Sequence, residues 1–92
     1  MRLMPIKQAQ AKWLNATADK GLRSLTLSTF KKDRSVSLER EGDGWVLVEK
    51  GFERRREPLP TGGAAKRLVK DAFKREFPHS ARAYVAEVRS RA

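Results

Sequence analysis

The sequence predicts an α+β fold in which a four-stranded antiparallel β-meander carries a major helix on one face. An N-terminal helix precedes the meander, and a short C-terminal strand or helix follows it. Hydrophobic residues recur with a period of two between Leu22 and Val48 and with helical spacing on either side of that region. The chain has 92 residues, enough for one small hydrophobic core, so residues 1–92 are expected to form a single domain.

The first helix is predicted to run from Pro5 to Asp19. Proline suits the first turn of a helix, because the N–H that it lacks has no partner there. Ile6 and Trp13 then lie at helical spacing, and Gly21 follows as a residue typical of a helix end. A 3.6-residue period over this stretch indicates an amphipathic helix.

The meander begins with a hairpin and ends with a charged strand. From Leu22 onwards Leu25 and Leu27 alternate with small polar residues, and Val36 and Leu38 repeat the pattern after a charged turn. The Asp and Gly residues at 41–44 predict a tight reversal into a third strand at 45–48. Lys and Gly at 50–51 lead to a fourth strand at 52–57, whose charges suit the edge of a sheet.

The second helix is predicted from Thr61 to Phe77. Prolines at 58 and 60 cannot continue a strand ladder, Thr61 with the following glycines is expected to cap the helix, and Pro78 ends it. Its apolar residues share one face, which is expected to cover the sheet: Ala65, Leu68, Val69, Ala72 and Phe73.

Residues 81–88 fit both a helix and a strand. The strand is favoured, because Pro78 has just closed a helix and a returning strand can add to an edge of the sheet.

Composition excludes several classes of protein. The chain has no Cys and one His, so thiolate chemistry is excluded, and neither a metal nor a cofactor is expected. Short apolar runs predict no membrane association, and the N-terminus has no signal-peptide pattern, so a cytoplasmic location is the default expectation. Lys and Arg exceed Asp and Glu by 10, and this excess suits an acidic partner.

One face of the sheet is the candidate binding surface. If the helix covers Leu25, Leu27, Val36, Leu38, Val46 and Val48, alternation places small polar residues on the other face, together with Phe30, Trp45, Leu47, Phe52, Arg54 and Arg56. Aromatic rings that stack on bases and cations that bind phosphates are what single-stranded nucleic acid requires, with Phe30, Trp45 and Phe52 as the stacking residues. The alternative is that Trp45 and Phe52 belong to the core, and that Ile6, Trp13 and Leu14 of the first helix cover this face.

Three cationic clusters are candidate phosphate contacts. They are the fourth strand (Arg54, Arg55 and Arg56), the hairpin tip (Lys31, Lys32 and Arg34) and a stripe on the second helix (Lys66, Arg67, Lys70 and Lys74). Each cluster also fits a solvated surface that only prevents aggregation.

The sequence therefore predicts a nucleic-acid-binding protein without catalytic activity, and favours single-stranded DNA or RNA over a duplex because no groove-reading helix-turn-helix is evident. The alternative is a protein-interaction module or homodimer. It would pair through a sheet edge or the Trp13/Leu14 helix face and bind an acidic protein partner. A metal-free ribonuclease using Tyr84 and arginines is a third hypothesis, whereas His79 is expected in a surface loop.

Overall fold

A computed structural model describes residues 2–51 and 53–90. These residues form an antiparallel six-stranded sheet with the strand order β1-β6-β2-β3-β4-β5, and two α-helices. The strands are β1 (Arg2–Pro5), β2 (Leu22–Ser28), β3 (Ser35–Glu41), β4 (Gly44–Lys50), β5 (Arg54–Pro58) and β6 (Arg82–Arg89). The helices are α1 (Ile6–Asn15), followed by a 3-10 turn (Ala16–Ala18), and α2 (Gly63–Glu76). The α+β class and the antiparallel sheet are confirmed, but the four-stranded meander is not matched exactly, because β2 to β5 are consecutive neighbours within a sheet of six strands.

The sheet has more strands than the sequence predicted. The C-terminal segment is a strand, as favoured, but β6 lies inside the sheet between β1 and β2. The unpredicted strand β1 pairs with β6, with Met4 opposite Ala83. Because β1 has four residues and ends at Pro5, it is too short for a period of two to be recognisable.

Both helices pack on the same face of the sheet. Trp13 of α1 is fully buried, and its indole N–H donates a hydrogen bond of 2.7 Å to the carbonyl oxygen of Val69 in α2. These helices share one core with Leu25 and Leu38 of the sheet. The alternative in which α1 covers the second face is therefore wrong, and Trp13 is unavailable to a partner.

The predicted phase of β4 is wrong by one residue. Leu47 lies opposite Leu38, and Trp45 lies opposite Arg40, so Trp45 and Leu47 face the helices. Val46 and Val48 consequently lie on the other face. Residues 45–48 are all apolar, so the sequence has no alternation here, and burial of the larger Trp and Leu side chains determines the phase.

The helix boundaries also differ from the prediction. The regular part of α1 ends at Asn15 and not at Asp19, and α2 begins at Gly63. Thr61 does not cap α2: the N-cap position is Gly62, with φ of 74° and no side-chain hydrogen bond to the helix. The left-handed region suits glycine, which has no Cβ. Neither helix is long and apolar enough to cross a membrane, and no other α-helix occurs in the described residues.

A buried ionic cluster fastens α2 to the sheet. Glu49 of β4 is 1% exposed, and its carboxylate accepts hydrogen bonds of 2.8 and 2.9 Å from the guanidinium of Arg75. Arg55 lies 3.8 Å away on the other side, and Glu76 also hydrogen-bonds to this carboxylate. Burial raises the pKa of Glu49, but the hydrogen bonds from Arg75 and Glu76 outweigh it and hold the pKa below its ordinary value.

Candidate nucleic-acid interface

The face of the sheet opposite the helices, here called the open face, is ordered in rows. Residues opposite one another in an antiparallel sheet point to the same side, so the strand register defines which side chains are neighbours. The row nearest the β2–β3 turn, here called the tip row, contains Tyr84, Ser28, Ser35, Lys50 and Arg54. Tyr84 supplies an aromatic ring at β6, and Lys50 and Arg54 supply one cation each at β4 and β5.

Two further rows lie behind the tip row. The second contains Ala86, Thr26, Ser37, Val48 and Arg56, and the third contains Val88, Ser24, Glu39, Val46 and Pro58. The Thr26 and Ser37 hydroxyls are 2.9 Å apart and form a hydrogen bond. Because the middle strands carry small hydroxyl residues, the centre of the open face is flat, and a ligand can approach closely there.

A stacked aromatic pair lies at the β6 end of the tip row, where Phe30 packs against half-buried Tyr84. Phe30, in the β2–β3 turn, is 63% exposed, and its ring centroid lies 6.1 Å from that of Tyr84 with an interplanar angle of 18°. The ammonium of Lys32 lies 4.6 Å from the Tyr84 centroid, within the range of a cation–π contact. One face of the Phe30 ring is thus directed to its neighbour, and the exposed remainder is open to a planar ligand.

Hydrogen bonds hold the turn that carries Phe30. The backbone N–H of Thr29 donates to the carbonyl of Arg34 over 2.9 Å, and that of Lys32 donates to the carbonyl of Thr29 over 2.8 Å. The Thr29 hydroxyl donates to the carboxylate of Asp33 over 2.8 Å, which lowers the pKa of Asp33. Lys32 adopts a φ of 60°, in the left-handed region, which closes the turn.

The predicted cations differ in whether their charge is already compensated. Lys31, Lys32, Lys50 and Arg54 are exposed, and none of them forms an ion pair with another described residue. Arg34 is half-buried. The first four therefore form a positive surface around the tip row, in which the carboxylate of Asp33 partly offsets the charge of Lys31.

The other two arginines of β5 are paired. Arg56 points to the open face but binds Glu39 at 2.9 Å and Glu41 at 3.2 Å. Arg55 points to the helix-covered side, where it binds Glu53 at 2.8 Å and lies near Glu49 and Glu57. Of the three consecutive arginines, only Arg54 offers an unpaired charge to a ligand on the open face, as judged within the described chain.

Trp45 does not belong to this surface. It faces the helices, is 9% exposed, and has the guanidinium of Arg40 4.4 Å from its ring centroid. A nucleobase has no access to the ring there, so the prediction that Trp45 lies on the open face is wrong. Phe52, the third predicted stacking residue, lies outside the described residues.

Tyr84 is the aromatic residue of the open face that sequence reasoning did not assign to stacking. The alternation of Tyr84, Ala86 and Val88 against Ala83 and Val85 was visible in the sequence. Whether Tyr84 lies beside Phe30 depends on the pairing of β6 with β2, a long-range contact that no local pattern indicates. Once the register is known, Tyr84 lies opposite Ser28 and next to the predicted Phe30.

The tip row also adjoins a cleft. A depression of about 410 Å³ is lined by Phe30 and by the segment that enters β6, including His79 and Arg82. His79 is exposed in a loop, where it was expected. The cleft adds the cationic side chain of Arg82 to the surface beside Phe30.

The predicted stripe of α2 lies apart from the open face. Lys66, Arg67, Lys70 and Lys74 are all exposed, while Val69 of the same helix packs into the core. The sheet itself separates this stripe from the tip row, so the predicted cations do not form one continuous site.

Comparison of the chain with known proteins finds no matching family model, no matching curated protein and no matching solved structure.

Proposed function

We propose that this protein binds single-stranded DNA or RNA on the open face of its sheet, without catalytic activity. The observation that carries the proposal is the stacked pair of exposed Phe30 and half-buried Tyr84 beside cations without ion-pair partners among the described residues, on a sheet face that neither helix covers. Aromatic rings stack on any base, and lysine or arginine side chains bind the phosphates between them. The combination is typical of surfaces that bind unpaired strands.

The geometry suggests a path for the strand. One base stacks on Phe30, which Tyr84 supports from the other side, and the adjoining phosphates follow the tip row towards Lys50 and Arg54. From β6 to β5 the row crosses four strand intervals of about 4.8 Å, a span of about 19 Å. That span suits a site of about four nucleotides, the lower end of the sizes known for sheet-based single-strand sites.

An unpaired strand fits this surface better than a duplex. Stacking on Phe30 requires the flat face of a base, which a duplex hides between neighbouring base pairs. Reading the major groove of DNA requires a protruding helix or a two-stranded ribbon, whereas the open face is broad and flat at its centre.

The decisive experiment compares Phe30→Ala with Leu14→Ala by fluorescence anisotropy of labelled single strands. Both residues are exposed and apolar, but Leu14, at 41% exposure, lies on α1 away from the open face. Loss of one stacked base costs about 1–3 kcal/mol, so we expect Phe30→Ala to bind about 5- to 150-fold more weakly. Leu14→Ala should bind as the wild type does. Equal affinity of the wild type and Phe30→Ala would refute stacking at this site.

A second comparison tests the assignment of the charges. Arg54→Ala should remove about one phosphate contact. The slope of log affinity against log salt concentration should then become shallower by about 0.7. Arg56→Ala should change it less, because Glu39 and Glu41 already neutralise Arg56. Glu39→Gln should tighten binding by releasing Arg56. The same slope change for both arginines would show that the ion pairs do not determine which charge is available.

A homodimer is the second candidate function, and one observation favours it. Val88, in the third row, is 57% exposed, and a second copy of the chain lying on the open face would cover it. Sedimentation analysis would show such a dimer directly, and Val88→Lys should dissociate it. A monomer at all accessible concentrations would exclude this candidate.

A further inference from the structure

The outer surface of α2 carries a line of cations that the proposed strand path does not use. Lys66, Lys70 and Lys74 are spaced by four residues, and Arg67 lies beside them. At a rise of about 1.5 Å per residue, successive lysines stand about 6 Å apart along the helix, and the line spans about 12 Å. All four side chains are exposed, and none of them forms an ion pair with another described residue.

A strand on the open face does not reach this stripe. Helix α2 packs through Val69, Ala72 and Phe73 into the core that it shares with Leu25 and Leu38 of the sheet. Those leucines point away from the open face, so the sheet and the helix layer lie between the two cationic surfaces. A short strand that follows the tip row therefore leaves the stripe unoccupied.

We propose that the stripe of α2 is a second nucleic-acid site, so that one protein molecule holds two strands and promotes the annealing of complementary ones. The inference rests on the proposed function for the first strand. Over about 12 Å, one strand of a duplex carries about three phosphates at its spacing of 3.4 Å, comparable with the three lysines. Neutralising phosphates on two strands at once lowers the repulsion that opposes their pairing.

Phosphates suit the stripe better than an acidic protein segment does. A peptide would need an apolar anchor, and the groove between α1 and α2 offers one, lined by Leu14, Ala18 and Val69 with Lys66 and Lys70 at its rim. The line of charge continues beyond that groove to Lys74. A ligand with regularly repeated charge and no need for apolar contacts uses the whole stripe.

The experiment uses the full chain and two charge-matched variants. The stripe variant is Lys66→Ala/Lys70→Ala/Lys74→Ala, which keeps α2 intact because alanine favours helices. The open-face variant is Lys31→Ala/Lys50→Ala/Arg54→Ala, which removes the same number of charges. For each, anisotropy measures binding of a trace amount of one labelled strand. Energy transfer between complementary strands with donor and acceptor dyes measures annealing.

We expect the stripe variant to bind the trace strand as the wild type does and to lose acceleration of annealing. The open-face variant should bind the trace strand more weakly, with a decrease in salt slope of about 2 for the three contacts. If the wild type binds the trace strand but does not accelerate annealing, the second site is refuted while the proposed function stands. If the wild type binds no strand at all, both proposals fail. If the stripe variant loses trace binding to the same extent as the open-face variant, a distinct second site is refuted and the two surfaces act as one general polycation.

Amide chemical shifts identify which ligand occupies α2. Single-stranded DNA added beyond the first equivalent should shift the backbone signals of residues 66–74. If polyglutamate shifts the signals of Leu14 and Ala18 while DNA leaves residues 66–74 unchanged, the stripe binds acidic protein and the proposal is overturned.

Discussion

Removing Arg75 tests whether the buried ionic cluster stabilises the fold. The carboxylate of Glu49 is 1% exposed and accepts hydrogen bonds of 2.8 and 2.9 Å from this guanidinium. Deleting one partner of a buried ion pair costs about 3–5 kcal/mol, because the other charge remains out of water without its counter-ion. Arg55 stays 3.8 Å from Glu49 in the variant, so we expect Arg75→Ala to cost close to the lower limit, about 3 kcal/mol.

That loss is large for a chain of this size. Stabilities of about 0.05–0.15 kcal/mol per residue give 92 residues a total of about 5–14 kcal/mol. With about 4–8 °C in Tm per kcal/mol for a small domain, Arg75→Ala should lower the Tm by about 12–24 °C. The control is Arg67→Ala on the same helix, an exposed arginine without an ion-pair partner among the described residues. It should change stability by less than about 0.5 kcal/mol.

The pH dependence of this loss gives an independent check. In the wild type the pKa of Glu49 lies below its ordinary value, so its ionised form stabilises the fold at neutral pH and that contribution disappears as the pH falls through the folded-state pKa. Arg75→Ala removes the hydrogen bonds and the charge that contribute most to lowering the pKa of Glu49, so ionisation of Glu49 stabilises the fold less in the variant. Urea unfolding should therefore show a smaller difference between wild type and Arg75→Ala near pH 4 than near pH 7. A loss below about 1 kcal/mol at neutral pH, or an equal loss at both pH values, would refute the reasoning.

Other substitutions test the packing of the helices and of the β4–β5 turn. Trp13→Phe removes the indole donor from the buried carbonyl of Val69 and leaves a smaller ring in the core, and thermal unfolding should show a loss of about 1–3 kcal/mol. Gly51→Ala should destabilise by a similar amount of about 1–3 kcal/mol, because the added Cβ would meet a carboxylate oxygen of Glu76, which must shift within the packed site. The control is Gly63→Ala, where the Cβ meets no atom within 4 Å and α2 should gain up to about 1 kcal/mol. Wild-type stability in Trp13→Phe or Gly51→Ala would contradict the corresponding contact.

The sequence predicted faces correctly only where hydrophobic residues alternate with polar ones. In β2 and β3, Leu25, Leu27, Val36 and Leu38 alternate with serine, threonine or glutamate, and these apolar residues face the helices as expected. In β4 four apolar residues follow one another, so local pattern cannot fix the phase, and Trp45 was placed on the wrong side. Which side is buried depends on the helices, which lie far from β4 in the sequence.

Local alternation also explains which residues of the candidate site the sequence predicts. Phe30 and Arg54 are predicted because alternation along a strand assigns each residue to a face. Tyr84 was not assigned to stacking, because it reaches the tip row only through β6, whose position beside β2 is a long-range contact. The pairing of Arg56 with Glu39 across β4 likewise required the strand order of the sheet.

The distribution of ion pairs separates the electrostatic part of the proposed binding from the stacking part. Glutamates already neutralise Arg55, Arg56 and Arg75, so the uncompensated charge near the aromatic pair belongs to residues such as Lys50 and Arg54. Salt screens exposed charges strongly, whereas stacking of a base on a ring depends little on ionic strength. Raising the salt concentration should therefore shrink the effect of Arg54→Ala on affinity, while the effect of a Phe30→Ala change persists. If both effects shrink together, the exposed ring contributes no stacking of its own, and the surface binds by charge alone.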